Sequence, residues 1–351
     1  MRARVGVLGN FGDVAETHDG QTLRTRMLHQ QLVHRLGPAR VERVDTAALP
    51  RGAPSTLLAI LQMFRRCDMV LLMPGQRGLR VLLPFLLLLR SIHPRALHYL
   101  VVGGWLPGFL ATRPWLRQAL RRLDSLHVQS QRMVEQLQAF GFRQVYLFPN
   151  FREFESAPER PRSPGPLRLT FLSRVIPEKG VQSAVEAVCA LNRDRGPGAV
   201  TLDIYGPVPE SLREWFAGLI RDADPGVVWH GPLPQSQVVD TLADYEALLF
   251  PTWYEGEGFP GVIVEAYGAG VPVLATNWQD NAEVVAHERS GLLFPVRNDN
   301  ALRAAIARLL DEPGLLERLK AGAREEACRF HVDVVIPPLL ERLGLQAVDA
   351  A

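Results

Sequence analysis

Lysine is almost absent from this 351-residue chain: Lys179 and Lys320 stand against 37 arginines. In so arginine-biased a chain, a lysine in the loop that holds Lys179 points to a need for a compact ammonium rather than a guanidinium fork. Cysteine is scarce as well. Cys67, Cys189 and Cys328 are odd in number and widely separated, so they offer neither a disulfide framework nor a metal-type pair. Each reads as a small buried hydrophobe, in keeping with a reducing cytoplasm. No apolar run reaches the roughly 18–20 residues that span a bilayer. Leu79–Leu89 comes nearest, and Arg80 and Pro84 interrupt it. The start, MRARVGVLGNFGD, runs directly into a strand and a glycine loop and shows no signal-peptide pattern. The nine histidines have no ligand spacing, and no Gly-x-Ser-x-Gly elbow occurs. The D-x-D of Asp222 and Asp224 precedes Pro225-Gly226 and reads as a turn, not a metal site.

The remaining composition, 47% hydrophobic and 22% charged, is that of an ordinary globular protein long enough for two domains. A net charge of only +2 conceals an asymmetry. Residues 1–151 hold 20 basic and 8 acidic side chains, whereas residues 152–351 hold 19 and 29. A basic first half suggests an anionic partner there. No aromatic-basic interleaving or recognisable module supports nucleic acid as that partner.

Strand-like and helix-like segments alternate through residues 1–151, and the strands are near-continuous apolar runs, as in a parallel sheet covered on both faces. Residues 152–166 (REFESAPERPRSPGP) carry four prolines and read as a linker. The alternation restarts over 167–330. A final helix within 331–351 lies beyond the second sheet and can return to the first domain. The fold class is therefore α/β, with two doubly wound, Rossmann-like domains; such sheets bind ligands at the carboxyl ends of their strands, and two of them facing across a cleft make that cleft the expected site.

Two segments carry the chemistry. In Phe250–Thr276 (FPTWYEGEGFPGVIVEAYGAGVPVLAT) a buried strand ends, a glycine-rich loop follows, and a helix begins near Gly261 with Pro260 in its first turn. Backbone N–H groups at such a helix start suit an anion. Glu257 lies in the loop and Glu265 about one turn inside the helix; both can accept hydrogen bonds from sugar hydroxyls. The plainer alternative makes Glu257 a helix cap and Glu265 a solvated surface charge. In Phe171–Gly180 (FLSRVIPEKG), Arg174 and Lys179 flank a loop between strand and helix and can clamp a pyrophosphate. The alternative is a pair of surface charges at a helix start.

These segments resemble the family 4 retaining glycosyltransferases of the GT-B fold, otherwise called glycosyl transferases group 1. That family carries an Arg and a Lys-Gly after the first strand of its second domain, and a Glu-x7-Glu element that Glu257 through Val273 matches almost throughout. Smaller echoes are Ile204-Tyr205-Gly206-Pro207, His230-Gly231 and Ser290-Gly291-Leu292-Leu293-Phe294. The resemblance implies that Arg174 and Lys179 neutralise a departing diphosphate, Glu257 holds the donor sugar, and Glu265 holds the ribose. It implies donor contacts from Gly20, Ser173, Gly206, Phe259, Gly261 and Val262. The departing diphosphate gains charge in the transition state, so preorganised cations and N–H dipoles lower the barrier selectively without a metal or other cofactor. The donor would be a UDP- or GDP-sugar and the acceptor a saccharide or lipid-linked sugar. Many members carry a histidine where this chain has Gly103-Gly104-Trp105, an acceptor-side feature resembling the capsule and exopolysaccharide subset. Gly103 and Gly104 also fit a simple tight turn. The alternative function is a catalytically silent sugar-nucleotide-binding partner subunit.

Leu79–Ile92 (LRVLLPFLLLLRSI) is apolar on nearly every side and flanked by Arg65, Arg66, Arg77, Arg80, Arg90 and Arg95. It is either a core helix or a segment resting on an anionic membrane. The second option would place the protein in the cytoplasm, at the inner face of the membrane.

Overall fold

The computed structural model describes residues 3–12, 20–47, 54–154 and 165–347. The chain divides into two compact units. The first comprises residues 1–150 and 335–351, and the second residues 151–334.

In the first unit β1 (Val5–Gly9), α1 (Gly20–Leu36), β2 (Val41–Asp45), α2 (Pro54–Arg66), β3 (Met69–Met73) and α3 (Gln76–Ile92) follow one another. Then come β4 (Ala96–Leu100), α4 (Leu106–Ala111), α5 (Pro114–Leu120), β5 (Ser125–Val128), α6 (Gln131–Ala139) and β6 (Val145–Leu147). The strands pair in the order β2-β1-β3-β4-β5-β6, and every pairing is parallel. The buried strands β1, β3 and β5 expose no residue, which explains why they read as unbroken apolar runs. Right-handed crossovers put α1 on one face and α2 through α6 on the other. Helix α4 opens with Pro107 in its first turn, where a missing N–H costs nothing.

The second unit contains β7 (Leu167–Leu172), α7 (Val181–Arg195), β8 (Val200–Tyr205), α8 (Arg213–Arg221), β9 (Val227–Gly231), α9 (Val238–Leu242) and β10 (Ala247–Phe250). It continues with α10 (Gly261–Gly268), β11 (Val273–Thr276), α11 (Asn281–Val284), β12 (Gly291–Phe294), α12 (Asp299–Asp311) and α13 (Leu315–Arg329). Helix α14 (Val332–Arg342) begins there, and its later residues belong to the first unit. The strand order is β12-β11-β10-β7-β8-β9, again all parallel. From β7 the chain winds outward through β8 and β9. It then returns to β10 and winds the opposite way through β11 and β12. The reversal falls between neighbouring strands β7 and β10, where open α/β sheets bind ligands.

Two expectations need correction. Of the three cysteines only Cys67 is buried; Cys189 is half-buried and Cys328 exposed. The proline-rich stretch does not begin as a free linker. Arg152 bridges His331 in a parallel pairing, its N–H donating to the Phe330 carbonyl, and it is buried. The rest of that stretch, residues 155–164, lies outside the described residues.

Candidate donor site at the strand reversal

The site grows from one glycine. Gly180 sits at φ +78°, and a Cβ there would stand 2.2 Å from the Pro251 carbonyl oxygen. Only glycine allows the loop after β7 to touch the loop after β10. Backbone bonds join the two loops: the Trp253 N–H donates to the Glu178 carbonyl at 2.8 Å, and the Lys179 and Gly180 amides close a 3₁₀ turn.

This suture delivers Lys179 to Glu257. The ammonium Nζ donates to Glu257 Oε2 at 2.5 Å, and Thr252 Oγ1 donates to the same oxygen at 3.0 Å. Both members of the ion pair are buried. Lys179 Nζ also lies 5.1 Å from the centre of the Tyr254 ring, and the Arg174 guanidinium lies 5.3 Å from that ring. Arg174 and Lys179 therefore do converge, around a tyrosine the sequence did not single out. Arg174 remains exposed. Lys179 is committed to a carboxylate and is not a bare clamp.

Glu265, the fifth residue of α10, is buried too. Its Oε1 accepts from Arg152 Nε at 2.6 Å and from Gln235 Nε2 at 2.8 Å. The readings of Glu257 as a cap and Glu265 as a surface charge both fail. No side chain caps α10, and Pro260 stands at the cap position, one residue before the place expected for it. The first-turn N–H groups at Gly261 and Val262 are thus without a side-chain partner. Gly261 serves packing as well, since a Cβ there would meet Arg152 Nη2 at 2.3 Å.

Gly206 has a structural reason of its own. At φ +136°, its Cβ would lie 1.7 Å from the Ser173 carbonyl oxygen, so this glycine holds the ends of β7 and β8 together and fixes Ser173 in place. Phe259 packs edge-to-face on Phe330 at 5.3 Å. The D-x-D segment forms the expected turn, with Asp224 Oδ1 accepting from the Gly226 N–H at 2.9 Å.

Residues 166–312 match the family described as "Glycosyl transferases group 1". That match takes in less than half of the chain and lies within the second unit. The amylovoran biosynthesis glycosyltransferase AmsK of Erwinia amylovora is 30% identical over 187 residues, covering 51% of this chain and 46% of that protein. A glycogen synthase of Mycobacterium tuberculosis is 28% identical over 236 residues, covering 64% of this chain and 55% of the synthase. The chain thus spans about half the length of these curated relatives. Among solved structures, HepE of Anabaena in complex with UDP superposes with a TM-score of 0.75 over 97% of this chain and 99% of its own, at 17% identity. That likeness extends the GT-B fold to both units.

The matched stretch contains only part of the expected site. Gly20, Gly103, Gly104 and Trp105 belong to the first unit. Gly20 opens α1 and is exposed. Gly103 takes a left-handed φ of +85° and donates its N–H to Gln129 Oε1. Trp105 donates Nε1–H to the Val102 carbonyl at 2.8 Å and packs edge-to-face on Phe109. The tight-turn reading of Gly103 therefore holds, and the indole closes that turn. Arg152, Gln235 and Thr252 were missed. Arg152 fell in a stretch read as linker, and no spacing connects it with Glu265, 113 residues away.

Proposed function

We propose that this protein transfers a sugar, with retention and without a metal, from a nucleoside diphosphate donor to a saccharide or lipid-linked acceptor during cell-surface polysaccharide synthesis. One observation carries the reading. At the strand reversal, Lys179, Arg174 and Glu257 gather around Tyr254 beside the uncapped start of α10. Cations and backbone N–H groups in one place are what a leaving diphosphate requires.

In this scheme Glu257 holds the Lys179 ammonium in place until the diphosphate competes for it. The freed carboxylate then accepts hydrogen bonds from donor-sugar hydroxyls. Arg174, more exposed, supplies a second cation near the Tyr254 ring. Glu265 holds the ribose hydroxyls, with Arg152 and Gln235 fixing its Oε1 and leaving the other oxygen to the ligand. The relatives' names favour polysaccharide synthesis, and HepE was crystallised with UDP, which makes UDP-sugars the first donors to try and GDP-sugars the second. The test is incubation with each donor and a hydroxyl acceptor, followed by NMR of the new anomeric centre. Retention supports the scheme, whereas an inverted product contradicts it. Tight nucleotide binding without turnover would favour the silent partner subunit.

One helical face of the first unit supports membrane apposition. Helix α3 is a core helix on one side, where Leu79, Leu82, Leu83, Leu86 and Leu89 are buried. On its other side Val81, Leu88 and Ile92 are 69%, 60% and 63% exposed. Leu57 and Leu58 of α2 and Trp115 of α5 are exposed as well, on helices that the crossover rule puts on the same face of the sheet. Arg65, Arg66, Arg77 and Arg80 are exposed beside them, whereas Arg90 pairs with Asp124 and Arg95 bonds the Phe64 carbonyl. Apolar residues ringed by arginine suit an anionic bilayer surface. Among the described residues no helix is long and apolar enough to cross a membrane. Co-sedimentation with phosphatidylserine-containing vesicles tests the proposal. Val81→Glu with Leu88→Glu should release the protein to the supernatant, and equal recovery of parent and variant contradicts it.

A further inference from the structure

A concavity lies at the carboxyl ends of β10, β11 and β12 and reaches the loop after β7 through Glu178. It encloses about 520 Å³ and is lined by Trp253, Tyr254, Trp278, Glu178, Glu255 and Arg297, with Val296. That volume is in the range of small-molecule sites, roughly 300–1,000 Å³. Its chemistry is distinctive. Three half-buried aromatic rings meet two carboxylates and one guanidinium in a single open pocket.

The rings are held in place. Trp278 Nε1 donates to the Tyr254 carbonyl at 2.9 Å, so the polar edge of that indole is already satisfied where it lines the pocket. The Arg297 guanidinium lies 4.1 Å from the centre of the Trp253 ring and covers it. Backbone strain supports a role beyond packing. Three non-glycine residues have positive φ among the described residues, and two of them border this pocket: Arg297 at 54°, and Gln279, next to Trp278, at 49°. Such conformations persist where surrounding structure over-determines them, and they cluster at ligand sites.

We propose that this pocket is a binding subsite for a neutral saccharide, adjoining the donor site at Tyr254. Aromatic faces pack against the C–H faces of pyranose rings. Glu178 and Glu255 accept from hydroxyls and Arg297 donates to them. Two carboxylates against one guanidinium repel phosphate, which argues against a nucleotide as the occupant. Tyr254 is shared with Arg174 and Lys179, so a saccharide held here lies beside the loop that carries Glu257. The subsite therefore suits a growing or acceptor chain, and its existence does not depend on the donor assignment.

The test uses the full chain with maltotriose, cellotriose and mannotriose, followed by tryptophan fluorescence and saturation-transfer NMR. At least one trisaccharide should perturb the fluorescence and show saturation transfer. Trp253→Ala should weaken that binding by at least about tenfold. Arg297→Gly, whose φ suits glycine, should weaken it while leaving the circular dichroism of the parent intact, which separates lost binding from lost folding. Three results overturn the proposal: none of the trisaccharides binds, binding is equal in parent and Trp253→Ala, or UDP or GDP displaces the saccharide from this pocket. A failed UDP and GDP titration with intact saccharide binding would refute the donor site and leave this one standing.

Discussion

Removing one partner of the Lys179–Glu257 pair should destabilise the second unit far more than removing both. The side chains are 9% and 10% exposed, so each charge has given up most of its hydration for the other. Lys179→Met leaves Glu257 with Thr252 Oγ1 as its remaining donor, and Glu257→Gln leaves the ammonium with no counter-charge among its contacts. Breaking a buried pair from one side costs about 3–5 kcal/mol, whereas replacing both partners by groups of similar volume is often close to neutral. For a unit of this size each kcal/mol moves the melting temperature by about 2–4 °C. The single variants should therefore melt roughly 6–20 °C below the parent, and the double variant Lys179→Met/Glu257→Gln should recover much of the loss. Urea unfolding followed by tryptophan fluorescence gives the same comparison, since Trp215, Trp229, Trp253 and Trp278 all report on this unit. Single variants within about 1 kcal/mol of the parent, or a double variant equal to the sum of the singles, would refute the buried pair as a coupled unit.

Two further outcomes follow from the geometry. Gly180→Ala combines a left-handed φ with a Cβ 2.2 Å from the Pro251 carbonyl, so it should destabilise by more than the ~1 kcal/mol of an ordinary glycine replacement and weaken nucleotide binding; an unchanged urea midpoint would contradict this. The first unit should be acid-sensitive through a buried chain in which His98 Nδ1 and His127 Nε2 each meet Ser125 Oγ at 2.7 Å. Burial, with nearby His98, Arg342 and Arg24, pushes the His127 imidazole down to about 3, and burial lowers His98 too. Between that value and the unfolded value of about 6.5 the unfolded chain binds more protons, so stability falls as pH falls through this window. At pH 4.5 His127 alone should cost roughly 2–3 kcal/mol relative to pH 7, and His127→Gln should flatten the profile. Equal acid sensitivity in parent and variant would exclude this origin.

How far the sequence revealed this arrangement depended on the range of each interaction. Strands such as MVLLM and ALLF are buried on both faces and read directly as apolar runs. GLLF, now β12, is the same kind of segment, although the sequence marks it only through the family's motif. Helix α4 hid behind Pro107 and Gly108, which look like helix breakers until the proline is placed in the first turn. Glu257 and Glu265 were found because local spacing and a recognisable pattern marked them. Their burial and their partners were not legible, because Lys179 lies 78 residues from Glu257 and Arg152 lies 113 from Glu265. Helical periodicity showed α3 as apolar all round, but only the packed sheet decides that Leu86 is core and Leu88 is surface.

The central claim is that the strand reversal between β7 and β10 binds a nucleoside diphosphate. Thermal denaturation with UDP, GDP, ADP and their sugar conjugates tests it most directly. A ligand at 100 times its dissociation constant should add about 2.7 kcal/mol of stability. The account predicts such a shift for one nucleobase, absent in Lys179→Ala and in Glu265→Ala. No shift with any of these nucleotides, or an equal shift in those variants, would contradict it.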